Sequence, residues 1–148
     1  MTYILALDQG TSSSRALVYD AAGAVVGSAQ QSIDSTYPQD GGVEQDPAMI
    51  WSSILAVGRQ AIADANIAPS AIAGIGITNQ RETSLLWERE TSRTLYNAIV
   101  WQDRRTADIC QELRNSGLED YVKENTGLVL DPYFSGTKIK WIICQKYT

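Results

Sequence analysis

The chain contains no histidine. That single absence removes the imidazole base of Ser-His-Asp and Cys-His hydrolases and every His-ligated metal centre, so proton transfer must fall to a carboxylate, a lysine or a tyrosine. Cysteine is scarce as well: Cys110 and Cys144 are the only two, too few for an all-cysteine zinc site or a disulfide scaffold, and a reducing compartment is the simplest setting. No basic block is present. With 12 Lys plus Arg against 17 Asp plus Glu, a formal charge of -5, neither nucleic acid nor an anionic membrane surface is an expected partner. The longest uncharged stretch, Ala65 to Gln80, contains Pro69 and several polar residues and falls short of the roughly 20 apolar residues of a membrane span. The opening MTYILALDQG lacks a basic n-region, which argues against a signal peptide and leaves the cytoplasm as the expected location.

What remains is a globular composition, 44% hydrophobic and 20% charged over 148 residues, one domain's worth of chain. Residues 3 to 8 and 15 to 20 are short β-prone runs separated by a Gly-Thr-Ser-Ser-Ser loop, and Ala24 to Ile33 follows as a third strand of a meander. Asp34 to Gly42 reads as a loop. Asp46-Pro47 then opens a helix, Asp being a strong N-cap acceptor and Pro lacking an amide that would be unpaired there anyway. Ile50, Ile54, Gly58, Ala61 and Ala65 recur at helical spacing until Asn66 and Pro69. The run Ile72 to Thr78 predicts a strand covered on both faces. Strands are predicted at Thr83 to Trp87 and Asn97 to Trp101, and helices at 104–115, 119–125 and 136–145. The order is that of an α/β domain.

Four stretches carry chemistry. Asp8 closes a strand and is followed by Gly10, Thr11, Ser12 and Ser13, a set able to hold Mg2+ through water while amides and hydroxyls receive phosphate oxygens. The same spacing serves a plain hairpin loop, and no GxxxxGK[ST] motif occurs. Arg81 and Glu82 follow the predicted covered strand, at the end where ligands collect in open α/β sheets. A donor beside an acceptor suits a polyol, although the spacing by itself favours a surface ion pair. Trp101 offers an indole face to a carbon skeleton or to the core, and Tyr133 is a third hydrogen bond to a polyol or a half-buried turn residue. Gly74 and Gly76 lack the third glycine of a dinucleotide fingerprint and are expected to permit close helix packing.

The runs DQGTSSSR (8–15), VEQDP (43–47), GITNQRET (76–83), NAIVWQDRR (97–105) and TGLVLDPYFSGTKIKW (126–141) together resemble the N-terminal portion of the FGGY carbohydrate kinases, and among them the branch acting on glycerol. The resemblance implies a ribonuclease H-like α/β fold of the actin and hexokinase type, a mixed sheet with flanking helices. It implies Asp8 as the Mg2+-linked carboxylate, Gly10, Thr11, Ser12 and Ser13 as the phosphate loop for ATP, and Arg15 as a nearby phosphate contact. It further implies Arg81, Glu82 and Tyr133 as the residues holding the glycerol hydroxyls, with Trp101 as the wall behind the carbons. The family's general-base aspartate and adenosine-binding domain are expected beyond residue 148, so residues 1–148 read as a truncated N-terminal polyol- and phosphate-binding domain, inactive alone. Self-association is implied for the full-length form. A non-catalytic glycerol- or phosphate-binding module and a kinase for another polyol or sugar are the alternatives. Ser12 and Asp103 replace the Thr and Cys more usual in the family, Gly42 stands for a larger apolar residue, and the tail from Ile143 departs from its pattern.

Overall fold

The computed structural model describes residues 2–147; Thr148, the end of the tail, lies outside the described residues. Where the length suggests one compact body, the chain forms two units interleaved along the sequence. The first takes in the chain to Ser35 and then Asp46–Gln80; the second takes in Thr36–Gln45 and the chain from Arg81 onward.

In the first unit, β1 (Tyr3–Gln9), β2 (Ser13–Tyr19), β3 (Val25–Ser32) and β5 (Ile72–Asn79) form a sheet in the order β3-β2-β1-β5. The first three strands are the expected antiparallel meander, and β5 joins β1 in parallel. Helix α1 (Pro47–Asp64) starts as the sequence requires, with the Asp46 carboxylate accepting from the Ala48 N–H at 2.8 Å and Pro47 in the first turn. Its inner face joins Leu5, Ala16 and Val18 with Ile54, Val57 and Ala61 in the unit's core. A fully buried aliphatic side chain of this kind contributes about 1.5–3 kcal/mol.

The parallel register explains a departure from expectation. Ile75 and Ile77 pair with Leu5 and Leu7 and so share their face, yet at the sheet edge they are 59% and 74% exposed. β5 is thus an open edge strand, not one covered on both faces. Gly74 and Gly76 lie on the opposite face beside Asp8, where a Cβ at Gly76 would meet nothing within 4 Å. The glycine that permits close helix approach is Gly27 in β3, whose Cβ would lie 2.4 Å from the Ala61 carbonyl oxygen.

The second unit is built on a minimal ladder, β4 (Glu44–Gln45) antiparallel to β6 (Ala98–Ile99). The strand expected at 83–87 is reduced to isolated bridges, Ser84 with Ile99 and Trp87 with Thr94, because positive φ at Glu82 (64°) and Ser92 (58°) bends the chain out of extended geometry on either side. Helices α2 (Ala107–Asn115), α3 (Glu119–Thr126) and α4 (Ser135–Tyr147) follow. α3 ends at Gly127, whose φ of 73° is the left-handed cap that glycine adopts without strain. α2 starts later than the sequence suggests because Asp103 to Thr106 are engaged in tertiary bonds. The Thr106 hydroxyl, for example, lies 2.8 Å from that of Thr137 on α4. Among the described residues no helix is long and apolar enough to cross a membrane.

Replacing Gly27 by Ala forces the new methyl into backbone, and the expected destabilisation is about 1–3 kcal/mol in a denaturant titration. Gly76→Ala should stay within about 0.5 kcal/mol of the parent. Equal effects at the two positions would remove the assignment of Gly27 as the helix-contact glycine.

Candidate functional site

The site residues named from sequence fall into two groups, one in each unit. In the first unit, Asp8 ends β1 on the face opposite α1, directly across from Arg15 in β2. Their side chains are half exposed and 3.7 Å apart, an ion pair that leaves both groups open to solvent. They line an open concavity of about 380 Å³ with Ala6, Leu17, Gly76 and Thr78. The small side chains of Ala6 and Gly76 make its floor low beside the carboxylate.

The connecting loop is tied down from several directions. The Gly10 N–H donates to the Ser13 carbonyl at 2.9 Å, and the Ser12 carbonyl accepts from the Ile33 N–H at 2.9 Å. The Gln80 side-chain amide reaches the Gln9 side-chain oxygen at 3.1 Å and the Gly10 carbonyl at 3.5 Å, and Gln9 itself donates to the Gly10 carbonyl at 2.8 Å. Of the run of hydroxyls, Ser14 is buried against Ser53 at 2.8 Å and Ser13 accepts from Gln30 at 2.9 Å. Gly10's amide is therefore engaged inside the turn, and Ser12 is the exposed hydroxyl at its tip. Asp8 is a lone carboxylate: no group of three or more acidic, Cys or His side chains able to hold a metal occurs among the described residues. That donor set fits a hydrated Mg2+, which keeps its waters and takes one or two carboxylates together with phosphate oxygens.

In the second unit the structure brings together Glu82, Trp101 and Tyr133. The Glu82 carboxylate does not pair with its neighbour Arg81. Its Oε2 accepts from the N–H and hydroxyl of Ser135 at 2.9 and 2.7 Å, at the first turn of α4, where backbone amides and the helix dipole favour an anion. Oε1 has no partner among the described residues, and Arg81 is exposed and makes no ion pair among them. The Trp101 N–H donates to the Thr83 hydroxyl at 3.3 Å, and the Trp101 and Tyr133 rings meet edge to face at 5.8 Å. Tyr133 is set by an Asp-Pro turn, its N–H donating to the Asp131 carboxylate at 2.8 Å while the Phe134 N–H closes the turn on the Asp131 carbonyl at 3.2 Å.

Sequence reasoning overlooks Ser135 and Lys138. Lys138 is fully buried, and its ammonium donates to the carbonyls of Glu82, at 3.3 Å, and of Tyr133. Burial pushes its pKa down, against the opposing pull of Glu82, Asp103 and Asp131. The signal for Ser135 was its position at a helix start; a lysine in the second turn of a helix carries none.

Two residues after Trp101 in sequence begins a buried charge cluster. The Arg105 guanidinium, its side chain 1% exposed, pairs with Glu44 and Asp103 at 2.8 Å each. It sits over the rings of Trp141 (4.6 Å) and Tyr96 (5.8 Å). Asp103 also accepts from the Val43 N–H at 2.6 Å and the Arg105 N–H at 2.9 Å. Glu44 accepts from the Tyr96 hydroxyl at 2.8 Å and the Asn97 amide at 2.9 Å. Burial works to raise the Glu44 pKa, but the bonds from Asn97, Tyr96 and Arg105 outweigh it and hold the carboxyl below its ordinary 4.5.

Over residues 3–146 the sequence matches the N-terminal domain of the FGGY family of carbohydrate kinases. The match reaches residue 146, inside the tail that starts at Ile143. A glycerol kinase of Ralstonia nicotianae is 59% identical over 143 residues, 97% of this chain and 29% of the relative. The structure superposes on the glycerol kinase of Plasmodium falciparum solved with ADP with a TM-score of 0.90 at 32% identity, covering 99% of this chain and 29% of that one. A xylulose kinase of Rhodospirillum rubrum gives a TM-score of 0.86 at 25% identity, covering 97% of this chain and 29% of that one. The α/β architecture is thus that of these kinases, the actin and hexokinase type, and the chain spans about 29% of the length of the relatives it matches.

Removing one member of the buried cluster leaves its partner's charge unanswered. Glu44→Gln is expected to cost about 3–5 kcal/mol at neutral pH. Because the folded carboxyl titrates below its ordinary 4.5, this stabilisation is fully present above that value and is lost as the pH falls through the lower folded one. Denaturant titrations of both proteins should therefore converge in acid. A difference that persists undiminished after the carboxyl has protonated would show that charge is not its source.

Proposed function

The chain belongs to the FGGY family of carbohydrate kinases, and from that premise we propose that it forms the polyol- and phosphate-binding part of an ATP-dependent glycerol kinase, which transfers the γ-phosphoryl group of ATP to a primary hydroxyl to give glycerol 3-phosphate and ADP. The observation that carries the reading is the convergence of Glu82, Trp101 and Tyr133 in one unit, with one carboxylate oxygen of Glu82 open. Each glycerol hydroxyl both donates and accepts. Glu82 Oε1 supplies an acceptor, the Tyr133 hydroxyl either role, and the exposed Arg81 guanidinium a donor that becomes ordered on the ligand. Trp101 supplies an apolar wall for the carbons. The high identity to glycerol kinases favours glycerol over the substrates of more distant relatives.

On the first unit, Asp8 and the loop Gly10 to Ser13 receive the phosphates of ATP, with Thr11, Ser12 and Ser13 offering hydroxyls and Arg15 a cation that must leave Asp8 to reach phosphate. Mg2+, when bound through water to Asp8, supplies charge neutralisation at the phosphate oxygens. Positioning and charge neutralisation do most of the work in phosphoryl transfer. The residues of this chain accordingly bind and orient, and none is assigned as the base that takes the proton of the attacking hydroxyl. The whole protein is read as a cytoplasmic, self-associating enzyme.

Glycerol at high concentration stabilises any protein by exclusion from its surface, so the test works in the millimolar range with a non-binding polyol as control. The purified chain should gain thermal stability from glycerol above that of the control. Glu82→Ala or Arg81→Ala should weaken that response by about 1–3 kcal/mol in binding, and ATP should yield no glycerol 3-phosphate. A response to glycerol unchanged in both variants would remove the polyol site. Formation of product would show that a base within these residues has been missed.

A further inference from the structure

A fully buried lysine normally either faces a carboxylate or gives up its proton. Lys138 pairs with no carboxylate among the described residues, and its side-chain nitrogen donates to two main-chain carbonyls instead. Those carbonyls belong to Glu82 and Tyr133, residues 82 and 133 of different turns, both already placed at the polyol site. Among the described residues the Glu82 carbonyl otherwise receives only the longer contact from the Ser84 hydroxyl at 3.4 Å.

Glu82 needs such an anchor. Its φ of 64° lies in the left-handed region, which a residue with a Cβ occupies only when its surroundings hold it there. Both ends of Glu82 are held by α4: the carboxylate by Ser135 and the carbonyl by Lys138, one turn further along. The same ammonium takes the Tyr133 carbonyl, while Asp131 takes the Tyr133 N–H and Trp101 meets its ring. A cation with several donors is suited to this task, since a neutral side chain of similar length offers fewer N–H groups and a carboxylate none.

We propose that Lys138 is a positioning residue of the polyol site: its buried ammonium fixes the turn of Glu82 against the turn of Tyr133, and so sets the spacing between the groups that receive the substrate. The consequence for glycerol rests on the function proposed above; the placement of the two turns does not.

The test uses the 148-residue chain with Lys138→Met, which keeps length and apolar volume but has no donor, and Lys138→Gln, which restores two N–H groups on a shorter arm. Backbone NMR signals of the first unit, together with those of Val43 and Arg105 in the buried ion cluster of the second, report whether each variant is folded. In the Met variant the Glu82 and Tyr133 amide signals should move or broaden and the Trp101 to Tyr133 ring contact should be lost, with partial recovery in the Gln variant. A folded Met variant with those signals and that contact unchanged overturns the proposal. If neither variant folds, the unsubstituted chain decides: Lys138 ammonium protons should exchange slowly and show contacts to Glu82 and Tyr133, and exchange as fast as that of surface lysines overturns it. Glycerol titration separates this from the function. Affinity should fall about tenfold or more in the Met variant and less in the Gln variant. Parental affinity in a folded Met variant counts against Lys138 alone, whereas no glycerol response in the unsubstituted chain counts against the polyol reading and leaves the NMR result to judge Lys138.

Discussion

A guanidinium shielded from water holds the second unit together. Arg105 answers the charges of Glu44 and Asp103, and each of those carboxylates binds further groups: Glu44 takes Tyr96 and Asn97, Asp103 takes the Val43 amide. Residues 36–45, distant in sequence from the rest of this unit, are fastened to it largely through these bonds and the short ladder of β4 with β6. Desolvating three charges is expensive, and such a cluster is tolerated only where nearly every lone pair and N–H finds a partner. Here no buried side-chain nitrogen or oxygen lacks one among the described residues. Two aromatic rings close over the guanidinium, and the chain that leaves Asp103 backward leads straight to Trp101.

The two units solve the problem of an interior differently. The first is conventional: buried aliphatic side chains of β1, β2 and α1 form an apolar core, with partly buried residues of β3 and β5 packed against it. The second has Lys138, Gln45, Thr106 and Asp103 among its largest fully buried side chains. An apolar interior gains stability from area with little demand on direction, whereas hydrogen-bonded ions fix angles and distances. A site that reads hydroxyl groups gains from the second kind of support, because its acceptors must sit within hydrogen-bond reach of several atoms at once.

Local rules made the first unit legible from sequence. The meander follows from alternating side chains and a Gly-Ser loop, and α1 from Asp46-Pro47 and its apolar repeat. β5 was legible as a strand but not as an open edge, because an apolar run says nothing of how far a helix reaches across a sheet; Ile75 and Ile77 lie beyond α1's cover. Gly27, in an ordinary strand context, carries no mark of the helix it admits. In the second unit, the residues of the candidate polyol site were named from motifs, while what holds them was not. Ser135 and Lys138 meet Glu82 across more than fifty residues of chain, and long-range bonds between unlike residue types leave no periodic trace. The strand expected at 83–87 failed for the same reason: Glu82's left-handed backbone is imposed by partners elsewhere and not by its own preferences.

The interleaving of the two units bears on how the chain is made. Glu44 and Gln45 leave the ribosome well before their ladder partners Ala98 and Ile99 and before Arg105. At roughly 5–20 residues per second, the sixty or so residues between them take about 3–12 s to synthesise. Through that interval Glu44 is a solvated carboxylate on an unpaired segment, while the strands and helix on either side of it in sequence can already associate. The nascent chain must therefore carry residues 36–45 as an unfinished loop across a growing domain, available to any extended segment that reaches it first. The buried ion pairs that give the mature unit its geometry are thus also what selects the correct late-arriving partner, since a competing strand could match β4's backbone but would bring no guanidinium to Glu44.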